Sequence, residues 1–125
     1  MADAATGRLP GKTILVVEDD YILAMHVADT LRQEGATVIG PAGSVRQALR
    51  LLERSISLDA AVLDVNLGAE RVYPVADALI ARKVPLVFAT GYEELLLERA
   101  YVGLPRCPKP IDGNALVATL QTLTG

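Results

Sequence analysis

Short aliphatic runs alternate with longer amphipathic stretches five times along the 125 residues. The first run, Thr13-Ile14-Leu15-Val16-Val17, is apolar at successive positions, as a strand buried on both faces of a parallel sheet should be. Residues 21–34 change period. Leu23, Val27 and Leu31, with Ala24 and Ala28 beside them, form one face of a helix that Gly35 stops. Residues 37–40 predict a second strand, ended by Pro41. Ser44 begins a second helix, with Gln47 placed for a capping box and Val45, Ala48, Leu49 and Leu52 as its stripe. Residues 60–63 predict a third strand. Val72, Val75, Ala76, Leu79 and Ile80 predict the apolar face of a third helix, which tolerates Pro74 only in its first turn. A fourth strand is expected over 85–89, a short helix over 93–100 and a short, edge-like strand over 106–108. Asp112 caps a last helix striped by Leu116, Val117, Leu120 and Leu123. Strict alternation at this spacing predicts an α/β domain, a parallel sheet with helices on both faces.

Four of the five strands run straight into polar residues at the carboxyl end. The first meets Glu18-Asp19-Asp20, the third Asp64 and then Asn66, the fourth Thr90-Gly91, and the fifth Lys109-Pro110. In an open parallel sheet these ends share one edge, where ligands bind at the point where strand order reverses. Taken singly, the acids read as a solvated helix start, Asp64 and Thr90-Gly91 as turns, and Lys109 as surface charge. Their coincidence at four strand ends is what carries chemistry. Two carboxylates about 4 Å apart repel by roughly 4 kcal/mol at an effective dielectric near 20, unless a proton or a cation intervenes. Oxygen ligands without His or Cys favour Mg²⁺ or Mn²⁺. A lysine, a hydroxyl and a spare carboxylate beside such an ion suit phosphoryl transfer to an acid side chain.

Composition narrows the classes. With 51% hydrophobic and 22% charged residues, the chain is a globular domain rather than a disordered segment. No Trp and one Phe leave the core to Ala, Val, Leu and Ile, which suits buried parallel strands. A net charge of −3 argues against general nucleic-acid binding. The single Cys107 cannot make an internal disulfide, and no run approaches a membrane span, so a cytoplasmic protein is expected. Residues 1–11 read as a flexible leader and 12–125 as one domain, with no output module. His26 lies off the first helix's apolar stripe and reads as a partly exposed side chain, and Cys107 as a small packed hydrophobe.

At Ile14-Leu15-Val16-Val17-Glu18-Asp19-Asp20, Val62-Leu63-Asp64-Val65-Asn66-Leu67, Ala89-Thr90-Gly91 and Pro108-Lys109-Pro110, the sequence resembles the receiver domains of two-component response regulators. The resemblance runs from about Lys12 to Leu123. It implies a flavodoxin-like, doubly wound sheet of order 2-1-3-4-5 with about five helices. It also implies Asp64 as phosphoacceptor, with Thr90 and Lys109 as its catalytic partners. Glu18, Asp19, Asp64 and the carbonyl of Asn66 would hold Mg²⁺ (or Mn²⁺), Glu18 through water. Val65 and Gly91 would be further binding positions beside the phosphoryl group, Lys109-Pro110 a cis peptide, and Asp20 a helix cap. The string Val87-Phe88-Ala89-Thr90-Gly91-Tyr92 resembles the "FAT GUY" subgroup, known mainly from alphaproteobacteria. Its members are often single-domain proteins fed by histidine kinases, some in general stress signalling. The implied partners are a sensor histidine kinase or a histidine phosphotransfer protein, docking on the first helix and the loop beside Lys109, and a downstream protein. A monomer or weak dimer without nucleic-acid or membrane binding is expected. The chain would catalyse only its own phosphorylation and dephosphorylation, and would be no enzyme in the ordinary sense.

Departures from the pattern bear on signalling. Receivers carry Tyr or Phe shortly before the lysine, where this chain reads Arg106-Cys107-Pro108. The stretch from Thr90 to Lys109 is also short, so the fourth helix is expected to be short, displaced or mobile. Read-out through residues 91–105, with Tyr92 or Tyr101 as the moving ring, stands beside simple packing of both rings against Leu95 or Leu104. A receiver fold that signals without phosphorylation is the second reading, favoured by the missing ring and opposed by the complete Asp, Thr and Lys set. An aspartate-nucleophile phosphatase would need Asp-x-Asp after the first strand. In a flavin binder, Glu18-Asp19-Asp20 would repel the phosphate.

Overall fold

The computed structural model describes residues 7–54, 57–91 and 101–125. In chain order its elements are β1 (Thr13–Val17), α1 (Tyr21–Gln33), β2 (Thr37–Ala42), α2 (Val45–Arg54), β3 (Ala60–Asp64), β4 (Asn66–Leu67), β5 (Glu70–Arg71), α3 (Tyr73–Ala81), β6 (Leu86–Thr90), β7 (Arg106–Pro108) and α4 (Gly113–Thr124). Five strands form one parallel sheet in the order β2-β1-β3-β6-β7. Counting only these strands, that is the expected 2-1-3-4-5. The fourth helix expected over 93–100, Tyr92 and Leu95 lie outside the described residues.

Side chains of β1 alternate between two cores, as the period of two in a strand requires. Leu15 and Val17 join Leu52 of α2, Leu79 of α3 and Phe88 of β6 on one face. Ile14 and Val16 join Val27 and Leu31 of α1 and Leu116 and Leu120 of α4 on the other. Local chemistry fixes the helix ends. Asp20 Oδ1 accepts the N–H groups of Ile22 and Leu23, and Asp112 Oδ1 those of Asn114 and Ala115. At the end of α1, Ala36 N–H donates to Leu31 and Gly35 N–H to Arg32, with Gly35 at φ 91°, a left-handed stop that glycine adopts without strain. Ser44 Oγ accepts Gln47 N–H, but Gln47 Oε1 takes the Gly43 N–H, one residue earlier than the expected box.

Three expectations need correction, and one element was not expected. Pro41 does not end β2. The strand continues to Ala42 through a register shift opposite Leu15 and Val17, an irregularity that an edge strand tolerates. The residues after Asp64 form the antiparallel β4–β5 hairpin, turned by Gly68 at φ 63° and Ala69, for which the sequence carried no expectation. Ile80 is 47% exposed, because one residue past Leu79 the helix has turned about 100° away from the core. The flexible leader expected over 1–11 is packed where it is described. Leu9 is 1% exposed, its N–H donates to the Glu34 carbonyl, and Arg8 bonds both Glu34 Oε2 and Asn114 Oδ1.

Candidate functional site

Register delivers the polar residues to one edge. Leu63 of β3 lies opposite Val17 of β1, so Asp64 follows the sheet at the height where Glu18 leaves β1. On its other side Asp64 faces Ala89, one residue short of Thr90. Thr90 in turn faces Pro108 of β7, and its carbonyl accepts the Lys109 N–H at 2.7 Å. Lys109 therefore leaves β7 beside the acids, and the Lys109–Pro110 peptide is cis as the resemblance implies.

Glu18, Asp64 and Thr90 are buried polar residues at this edge, while Asp19 is exposed. Lys109 Nζ lies 3.1 Å from Asp64 Oδ1 and 3.4 Å from Glu18 Oε1. One lysine thus bridges two buried carboxylates. Burial, followed by a side-chain hydrogen bond with Asp64, pushes the Glu18 carboxyl from 4.5 up to about 8, although the Asp20 N–H at 3.1 Å from Oε2 pulls the other way. Burial alone would lower the Lys109 ammonium, but hydrogen bonds and charge from Asp64 and Glu18 outweigh it and leave its pKa raised.

Glu18, Asp19 and Asp64 each offer a carboxylate oxygen within 4.8 Å of the others. This all-oxygen set, two members buried and one open to solvent, fits a hard divalent ion with water in its outer positions. Asn66 N–H approaches Asp64 Oδ1 at 3.4 Å, so its peptide lies next to the acceptor. Val65 is fully buried, and its carbonyl accepts the Val72 N–H at 3.0 Å. Gly91 lines a cleft of about 320 Å³ with Leu23, Lys109, Pro110 and Ile111.

Two contacts at the site had no sequence signal. Arg71 Nη1 donates to Asn66 Oδ1 across the β4–β5 pair, and Glu70 Oε2 accepts the Val45 N–H at 3.3 Å, tying the hairpin to the start of α2. Both depend on a hairpin whose two-residue strands are too short for any periodicity to show. Arg106, where a ring is usual in receivers, is exposed. A ring does sit nearby. Tyr101 is 6% exposed, stacks on Tyr73 at 4.4 Å, meets Phe88 edge-on and donates its hydroxyl to Asp77 at 2.6 Å. His26 is exposed and Cys107 is a buried free thiol, both as expected.

No protein-family model matches the chain. It is 31% identical over 101 residues to the transcriptional regulatory protein PdtaR of Mycobacterium tuberculosis, which covers 79% of this chain and 47% of that protein. The chain thus spans about half the length of PdtaR. Among solved structures, a response regulator receiver protein from Sinorhizobium medicae aligns with TM-score 0.77 and 25% identity over 93% of this chain and 96% of that one. SdrG from Sphingomonas melonis aligns with TM-score 0.80 and 38% identity over 90% of this chain and 96% of its own. That likeness extends through the sequence as well as the backbone, and the chain belongs to the receiver-domain family of response regulators.

Proposed function

We propose that Asp64 accepts a phosphoryl group from the phosphohistidine of a sensor histidine kinase or a histidine phosphotransfer protein. The observation that carries this reading is the Lys109 ammonium 3.1 Å from Asp64, inside a set of three converging carboxylates. Mg²⁺ or Mn²⁺, held by Glu18, Asp19, Asp64 and the carbonyl of Asn66, would neutralise charge on the transferring oxygens. Asp64 supplies the nucleophilic oxygen. Its bond to phosphorus forms as the phosphorus–nitrogen bond of the donor breaks, and the released imidazole nitrogen takes a proton from water. Lys109 moves from Asp64 to a phosphoryl oxygen, and the Thr90 hydroxyl donates to another. Val65 and Gly91, next along from Asp64 and Thr90, are the main-chain neighbours of the bound group. Hydrolysis returns Asp64 to its free form, so the chain turns over no external metabolite.

The donor docks beside this edge. Tyr21 and Ile22 at the start of α1 are 76% and 78% exposed, an apolar rim that a folded monomer gains nothing by presenting. Among the described residues no helix is long and apolar enough to cross a membrane. We place the protein in the cytoplasm, acting by protein contact and not through nucleic acid. Read-out through residues 91–105, with Tyr92 or Tyr101 as the moving ring, would take the place of a ring at Arg106. Incubation with Mg²⁺ and acetyl phosphate should yield an acid-stable, alkali-labile adduct that EDTA or Asp64→Asn abolishes. No adduct with acetyl phosphate or with a cognate kinase would overturn the reading.

A further inference from the structure

The chain is acidic overall, yet the exposed residues of α2 carry three arginines against one acid, Glu53. Arg46, Arg50 and Arg54 follow at intervals of four, all exposed, and none joins an ion pair among the described residues. Gln47, Arg50, Leu51 and Arg54, a helical stripe at i, i+3, i+4 and i+7, wall a groove of about 400 Å³ against the end of β2. Pro41, Ala42 and Leu51 give it an apolar side, and among the described residues no carboxylate lines it. Gln47 Oε1 already accepts the Gly43 N–H, which leaves the amide nitrogen to donate. The groove therefore offers donors and two guanidinium forks over a small apolar floor.

The geometry points to an acidic segment of a partner protein as its occupant, with carboxylates on Arg50 and Arg54 and one aliphatic side chain on Pro41 and Leu51. Arginine forks match carboxylates bidentately, which a compact ammonium cannot do. From Gln47 to Arg54 the wall rises roughly 10 Å, the reach of about three extended residues, so the recognised motif is short. A polyanion such as nucleic acid is disfavoured by the net charge of −3 and by the apolar floor. β2 is an edge strand, but Pro41 has no N–H to offer, so the segment binds through side chains rather than as an added strand. None of this depends on phosphorylation of Asp64, and the two readings fail separately.

The test is a titration of the isotope-labelled full chain, followed by amide chemical shifts, with a blocked peptide of two aspartates, one leucine and two glutamates. Shifts confined to residues 40–54 are expected. So is a weakening by about tenfold in the double variant Arg50→Glu/Arg54→Glu, the scale of losing two surface ion pairs. Arg50→Gln/Arg54→Gln should fall between the two, and its unchanged spectrum elsewhere would show an intact fold. The proposal is overturned if the Asn and Gln counterpart of the peptide binds equally well or if the variants bind as the parent does. It is also overturned if duplex DNA or phosphatidylglycerol vesicles occupy the groove in preference to the peptide.

Discussion

Glu18 is 6% exposed and lies within reach of Lys109, so its ionisation is coupled to folding. A folded-state pKa raised from 4.5 to about 8 means that the native protein holds a proton which the unfolded chain has released over that window. Stability contributed by this group is complete below 4.5 and is lost as pH rises through about 8. The raised Lys109 acts the same way but only above 10.5, outside the window. In EDTA, urea midpoints should therefore fall between about pH 5 and about pH 8, and Glu18→Gln should flatten the fall. Mg²⁺ should restore stability more at the upper end, where the carboxylates are ionised and bind it. A slope unchanged by Glu18→Gln would show that its proton is not the one involved. The acids and Thr90 were legible from sequence because each follows an apolar run whose end is unambiguous, whereas Lys109 follows Arg106-Cys107-Pro108 and stood out only through the Pro108-Lys109-Pro110 resemblance. Arg71 was not, since its bond to Asn66 exists only once the hairpin has formed.

At the scale of elements, long apolar runs announced themselves. β1, β3 and β6 are buried almost throughout, and no competing period obscured them. The β4–β5 hairpin was not legible, because Asn66–Leu67 and Glu70–Arg71 are two residues each, one pair mixed in polarity and the other charged throughout. Pro41 misled for a physical reason. Proline removes one N–H, which is costly within a sheet and nearly neutral on an edge, and the run 37–40 carries no mark of an edge strand apart from the order that the resemblance implies. The aromatic group of Tyr73, Phe88 and Tyr101 joins α3 and β6 to the chain just before β7. Tyr101→Phe removes only the hydroxyl bond to the exposed Asp77 and should cost about 1 kcal/mol. Tyr101→Ala also loses the stacked ring and should cost about 3 kcal/mol or more in urea unfolding. Equal effects from the two substitutions would locate the stabilisation in the hydroxyl rather than in the ring.

Across the whole molecule, two cores separated by one sheet hold the edge that carries Glu18, Asp64 and Lys109, and the described part of the leader belongs to one of them. Leu9 packs with Val27, Leu31 and Leu120, so Leu9→Ala should destabilise the fold by about 2–4 kcal/mol, read from urea unfolding. A freely moving leader would give no change. This packing escaped the sequence because one leucine among Gly7, Pro10 and Gly11 makes no periodic pattern. The assembled edge should make Asp64 the phosphorylation site, with the neighbouring acids unmodified. Phosphorylating the protein, trapping the acyl phosphate with borohydride and sequencing its peptides by mass spectrometry tests that most directly. Trapped label at Asp64 alone is the expected result. Label at Asp19 or Asp20, or none in the presence of Mg²⁺ and a competent donor, would contradict it.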